Sequence, residues 1–419
     1  MYHKTVLENG VKILSERMEH IRSISLGIWV GVGSRDEIKR ENGISHFVEH
    51  MIFKGTRNRS GLQIAKELDA IGGLSNAFTG KEHTCYHSKV LDKHLSTLAE
   101  ILSDIFLNSI FDPQDMDRER QVILQEINMM EDTPEDCIHV LFNRLCWVDH
   151  PLGMCVLGTD ETVSNIRKET IVDYIDRFYT PSRIIITAAG NIEHDALVAH
   201  FEPLFNSIKM SNEDPPRSIP HVHADICCQW KDLEQVHICL GGKAPNLSSD
   251  MRFAGAVLNT ILGGNMSSRL FQEIRERRGL AYSLYSFLSA YMDTGLMGVY
   301  VGTEPSQVNQ VLEIVNREIR KLRDGEISKS DLSAAVEHLM GGVLLGAENT
   351  DVRMMRLAKN DYVFGRYVSY DQLVARLQEV TVDQMVAVAQ DTFHNDEVSL
   401  VTLGPTKRED LDLACLQFN

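Results

Sequence analysis

Cysteine is sparse and unorganised in this chain of 419 residues. Eight cysteines are scattered at positions 85, 137, 146, 155, 227, 228, 239 and 415, and no two stand in a Cys-x-x-Cys spacing. That argues against a disulfide framework and for buried or idle thiols in a reducing compartment. Basic residues are outnumbered, 42 against 59 acids, for a net charge of -17. Such a balance repels nucleic acid and disfavours it as a partner. It would attract a basic peptide, although a solvated acidic surface accounts for it equally well. Long apolar runs are missing too. No stretch approaches the ~18 residues of a membrane span, and the opening segment Met1 to Val11 has no signal-peptide core. The expectation is a cytoplasmic protein.

What remains is an ordinary globular composition, 43% hydrophobic and 24% charged, in a chain long enough for two or more domains. Asn9-Gly10 between two short alternating runs predicts an opening hairpin. Three of the eleven prolines fall among polar residues between Asn206 and Pro220, a linker composition. The expected division is 1–205, a linker at 206–225, and 226–419.

The halves resemble each other. Ile166 to Asn191, shifted by 214 residues, falls on Val380 to Pro405 without a gap. Both segments read as an amphipathic helix, a polar turn and an apolar strand that closes on glycine. A looser match sets the strand Ile24 to Trp29 against Val236 to Gly241, each followed by a long helix. The pattern predicts a tandem duplication of an α+β unit, each half a largely antiparallel sheet layered with helices.

The segment Gly43 to Thr56 reads as a helix, with Ser45 as its N-cap and Gly55 as its C-cap glycine. His46 and His50 are four residues apart and project from one face, the spacing that puts two imidazoles on one Zn²⁺. Glu49 lies beside that face, placed to hold a metal-bound water without being forced to ligate. This is His-x-x-Glu-His, the inverse of the zincin order. Chance yields such a motif about 0.08 times in a chain of this composition, so histidines that merely line a polar face are the weaker account. A zinc enzyme needs a third protein ligand. The helix Met116 to Glu131 offers Glu119 and Glu126, seven apart on one face, with Val122, Ile123 and Ile127 for apolar contact. By spacing alone either glutamate qualifies.

His46-Phe47-Val48-Glu49-His50, with a glutamate 76 residues past the second histidine, resembles the pitrilysin/insulinase family of metallopeptidases. The chain is most similar to its short bacterial type, related to the mitochondrial processing peptidase β-subunit. The resemblance implies an inverzincin fold, with zinc held by His46, His50 and Glu126. It implies Glu49 as general base and Glu119 as a carboxylate that supports the ligands. It also implies that Gly72 to Tyr86 contains an edge strand that pairs with substrate backbone, with Asn76 and Ala77 nearest the scissile bond. His83 in that segment reads as structural. In the second half, Gly255, Leu258 and Asn259 stand opposite His46, Glu49 and His50, so no metal site is expected there. Arg278 and Tyr282 are implied to contact the substrate carbonyl or oxyanion. The implied activity is zinc-dependent endopeptidase action on extended or unfolded peptides, by a homodimer enclosing a chamber. The alternative is a non-catalytic or partner-dependent peptide-binding subunit of a processing peptidase.

Overall fold

In a computed structural model of the chain, residues 1–209, 216–394 and 397–416 are described. Residues 210–215 of the expected linker, residues 395–396 of the repeat and the Cys415 side chain lie outside them. The strands are β1 (Tyr2–Val6), β2 (Lys12–Arg17), β3 (Ser23–Val30), β4 (Leu74–Thr79), β5 (Thr84–Leu91), β6 (Ile184–Gly190), β7 (Ile226–Trp230), β8 (Val236–Lys243), β9 (Ala281–Ala290), β10 (Gly295–Thr303) and β11 (Ser399–Gly404). The helices are α1 (Ile44–Met51), α2 (Gly61–Ala70), α3 (Leu95–Asn108), α4 (Pro113–Asp132), α5 (Pro134–Cys146), α6 (Asp160–Asn165), α7 (Lys168–Phe178), α8 (His194–Phe205), α9 (Arg252–Leu262), α10 (Val308–Arg323), α11 (Lys329–Gly346), α12 (Thr350–Phe364), α13 (Tyr370–Gln378) and α14 (Val382–Thr392). Among the described residues no helix is long and apolar enough to cross a membrane.

The expected duplication is visible in the sheets. One has the order β1-β2-β6-β3-β5-β4 and the other β7-β11-β8-β10-β9. In each, a single parallel pair (β2 with β6, β7 with β11) joins antiparallel neighbours. Helices α7 and α14 stand 214 residues apart at both ends, the shift that the sequences share. Gly190 pairs with Ile24 in the first sheet, and Leu403 pairs with His237 in the second, keeping the same register to within one residue. The opening hairpin is also present: β1 pairs antiparallel with β2, and Gly10 takes a φ of 101° that a side chain would disfavour.

The compact units do not follow the chain halves. Unit 1 gathers residues 1–129, 154–217 and 345–367, and unit 2 gathers 130–153, 218–344 and 368–419. The reason is that each sheet is apolar on both faces. In unit 1, Ile24, Leu26 and Ile28 of β3 face α3 and α8, while Trp29, with Leu14 and Ile185, faces Met354, Leu357 and Ala358 of α12. Period-2 alternation alone puts these sets on opposite faces. Helix α12, from the second half of the chain, therefore covers a sheet of the first. In unit 2 the reverse holds: Ile138, Phe142 and Cys146 of α5 pack on Cys239, Val401 and Leu403. Polar clamps fix α12. Asp361 accepts from Lys12 Nζ at 2.7 Å and also from Lys4, and Ser25 Oγ bonds Thr350 Oγ1 at 2.7 Å.

A candidate zinc centre in unit 1

Helix α1 is shorter than Gly43 to Thr56, and its caps differ from those expected. Gly43 is the N-cap, with a φ of 93°, and Ser45 lies inside the helix with its Oγ 2.7 Å from Tyr174 Oη. The carboxylate of Glu37 does the capping: it accepts from Gly43 N at 2.8 Å, Ser45 N at 2.9 Å and Asn42 Nδ2 at 2.9 Å. Burial pushes the Glu37 carboxyl up, against those hydrogen bonds. The helix stops at Met51, and Gly55, at φ 145°, serves the following turn instead. Ile44, Phe47, Val48 and Met51 are buried in one core with Tyr86, Ile123 and Ile127. Their i, i+3, i+4, i+7 spacing leaves His46, Glu49 and His50 on the half-buried side.

Helix α4 crosses that side. Ile123 and Ile127 anchor it, whereas Val122 is exposed and gives no such contact. The geometry separates its two glutamates. Glu126 Oε2 stands 3.7 Å from His46 Nε2 and 3.5 Å from His50 Nε2. Glu119 Oε2 is 3.2 Å from the other nitrogen of His50, Nδ1, and its Oε1 is 2.6 Å from Lys54 Nζ. Among the described residues, His46, His50 and Glu126 are the one group of metal-ligating side chains whose donor atoms all fall within 4.8 Å of one another. Ligands about 2.1 Å from a tetrahedral zinc stand about 3.4 Å apart, so this donor set fits the ion. The imidazoles suit it as well: burial, and then the neighbouring His50, hold His46 down at about 4, leaving it neutral.

Glu49 is in the site but outside that group. Its Oε2 accepts from Thr79 Oγ1 at 2.6 Å, and burial raises its carboxyl above the usual range, with the Thr79 hydrogen bond opposing. Thr79 ends β4, which is an edge strand paired only with β5. Asn76 and Ala77 lie in that strand, Asn76 exposed and Ala77 packed against the core of α1. His83 is buried, stacks on Tyr362 with ring centroids 6.4 Å apart, and is held down to about 4 chiefly by burial. Its role is structural, as its position suggests.

Arg278 and Tyr282 belong to unit 2. Arg278 Nη1 is bound to Glu273, 2.6 Å from Oε2 and 2.8 Å from the backbone oxygen. The guanidinium at Tyr282 is that of Arg275, 4.3 Å above the ring and 3.1 Å from the Tyr282 carbonyl oxygen. Tyr282 itself is 77% exposed. Opposite α1, helix α9 carries Gly255 and Leu258 in its buried face, and Asn259 O accepts from Ser286 Oγ at 2.8 Å. Glu37, Thr79, Lys54 and Arg275 are the residues that spacing did not single out.

Two α+β units of one duplicated design, one bearing His-x-x-Glu-His on a helix and a third ligand on another, define the class of inverse-motif metallopeptidase folds. The chain belongs to the M16 (insulinase) family of peptidases. Residues 12–160 match the family described as Insulinase (Peptidase family M16), and residues 165–339 match the Peptidase M16 inactive domain. It is 37% identical to the uncharacterized zinc protease YmxG of Bacillus subtilis, over 97% of this chain and 99% of that one. It is 40% identical to an uncharacterized zinc protease of Streptomyces coelicolor, over 96% of this chain and 90% of that one. Its fold matches the crystal structure of a protease from Helicobacter pylori with a TM-score of 0.89, at 23% identity over 97% and 99% of the two chains.

Proposed function

We propose that this chain is a zinc metalloendopeptidase acting on extended or unfolded peptides. The observation that carries the proposal is the grouping of His46, His50 and Glu126 beside a carboxylate, Glu49, that is held apart from them. Zinc bound by those three residues would acidify a water molecule and polarise the scissile carbonyl. Glu49 takes a proton from water and delivers it to the leaving amine, a task suited to a carboxyl raised by burial. Glu119, with Lys54 behind it, orients His50 so that Nε2 carries the lone pair. The substrate backbone adds to the free edge of β4 beside Asn76 and Ala77. Hydrogen-bond donors for the developing oxyanion come from Tyr282 and an arginine near it, Arg275 or Arg278, supplied by the same chain or by a partner copy in a homodimer. A peptide-binding subunit without activity has no support in a site where all four residues stand together.

Zinc analysis and peptide cleavage on the wild type, Glu49→Gln and Glu126→Gln test this reading. The wild type should bind zinc and lose activity to a chelator. Glu49→Gln should keep its zinc and lose about 10²–10⁴-fold in rate, while Glu126→Gln should lose the metal. A wild type that binds no zinc or cuts no peptide overturns the proposal. Full activity in Glu49→Gln removes that residue as the base.

A further inference from the structure

A carboxylate three residues from one zinc-binding histidine and next to the other is itself a competent zinc ligand. Glu49 nevertheless lies outside the ligand group of His46, His50 and Glu126. What holds it there is strand β4. Thr79 Oγ1 donates to Glu49 Oε2 at 2.6 Å, and the Thr79 backbone N–H bonds the same carboxylate. Thr79 is a stiff holder: its side chain is β-branched, and its backbone is paired with Thr84 of β5.

We propose that Thr79 is a positioning residue that denies Glu49 to the metal and so keeps the zinc site open. This rests on the zinc-peptidase reading above. Three protein ligands leave a fourth position for water or substrate, the arrangement of catalytic zinc; a fourth protein ligand closes the site into the structural kind. Without the Thr79 hydroxyl, the freed oxygen of Glu49 turns toward the cation, which attracts it more strongly than a neutral neighbour does. The same substitution then removes the base and fills the open position. Thr79 sits on the strand whose edge is free for substrate, so the element that lines up the peptide also sets the base.

The decisive experiment measures zinc affinity by chelator competition alongside peptide kinetics for Thr79→Val, Thr79→Ala and Thr79→Ser. Thr79→Val should bind zinc about tenfold more tightly, as an added anionic ligand implies, with kcat lowered about 10–100-fold and KM unchanged. Thr79→Ala should behave alike if valine disturbs folding. Thr79→Ser, which keeps the hydroxyl, should match the wild type in both. In Thr79→Val/Glu49→Gln the tightening should vanish. Zinc affinity in Thr79→Val that is equal to or weaker than that of the wild type overturns the inference, and so does a Thr79→Ser variant as impaired as Thr79→Val. A wild type inactive on every peptide defeats the functional reading, while the affinity comparison still decides the role of Thr79.

Discussion

His50 Nδ1 and Glu119 Oε2 stand 3.2 Å apart, and this contact fixes which nitrogen of His50 faces Glu126. A ring that donates through Nδ1 keeps its lone pair on Nε2. The expected cost of removing the contact is therefore read in metal affinity. Glu119→Ala should weaken zinc binding about 10–100-fold, and Glu119→Gln, which still accepts the hydrogen bond, should weaken it less. Chelator competition measures both, and an Ala variant with wild-type affinity would show that His50 needs no such support.

Tyr282 and its arginine give a prediction that separates neighbours. Tyr282→Phe should lower kcat about 10²–10³-fold if its hydroxyl donates to the oxyanion. Arg275→Ala should impair turnover as well, because Arg275 lies on the Tyr282 ring. Arg278→Ala should mainly release Glu273, at about 0–1 kcal/mol of stability, as the pair is partly exposed. Steady-state kinetics on the three variants would reverse this ranking if Arg278 were the donor.

Lys81 supplies a pH dependence. Its ammonium is buried, and burial holds it down from 10.5 to about 8. Between those values the unfolded chain binds the proton and the folded chain does not, so stability rises with pH across that window and levels off above 10.5. Below pH 8 both states are protonated and the burial penalty is present in full. At 1.36 kcal/mol per pH unit the rise is at most about 3 kcal/mol. Urea unfolding from pH 7 to 11 should show this rise in the wild type and not in Lys81→Met; parallel curves would place the titration elsewhere.

The exchange of α5 and α12 predicts how fragments behave. A chain of residues 1–209 lacks α12, leaving Leu14, Trp29 and Ile185 without the Met354, Leu357 and Ala358 that cover them. Expressed alone it should be insoluble or partly unfolded, whereas co-expression with residues 216–419 should restore a zinc-binding complex. Purification of a folded, zinc-binding 1–209 fragment would contradict that.

His46, Glu49 and His50 were legible because a helix repeats every 3.6 residues and the chain wrote all three within one such span. The duplicated strands were legible because their register is local and ungapped. Glu126 and Glu119 could not be told apart by spacing, since both occupy one face of α4; only the side of the His50 ring that each reaches separates them. Glu37, Lys54 and Thr79 were invisible for a related reason. Their partners are set by how loops and strands return to α1, and no spacing rule encodes that. The caps of α1 failed likewise, because a carboxylate from the preceding loop took the role expected of Ser45. The units failed to follow the halves because the second face of each sheet is covered by a helix distant in the chain.

That crossover has a consequence during synthesis. The unit that carries His46, His50 and Glu126 includes residues 345–367, so its sheet cannot be covered until nearly nine-tenths of the protein has left the ribosome. At 5–20 residues per second the first sheet waits roughly half a minute or longer with one apolar face open. The nascent chain should depend on chaperones through that interval, and zinc should be captured only near the end of translation.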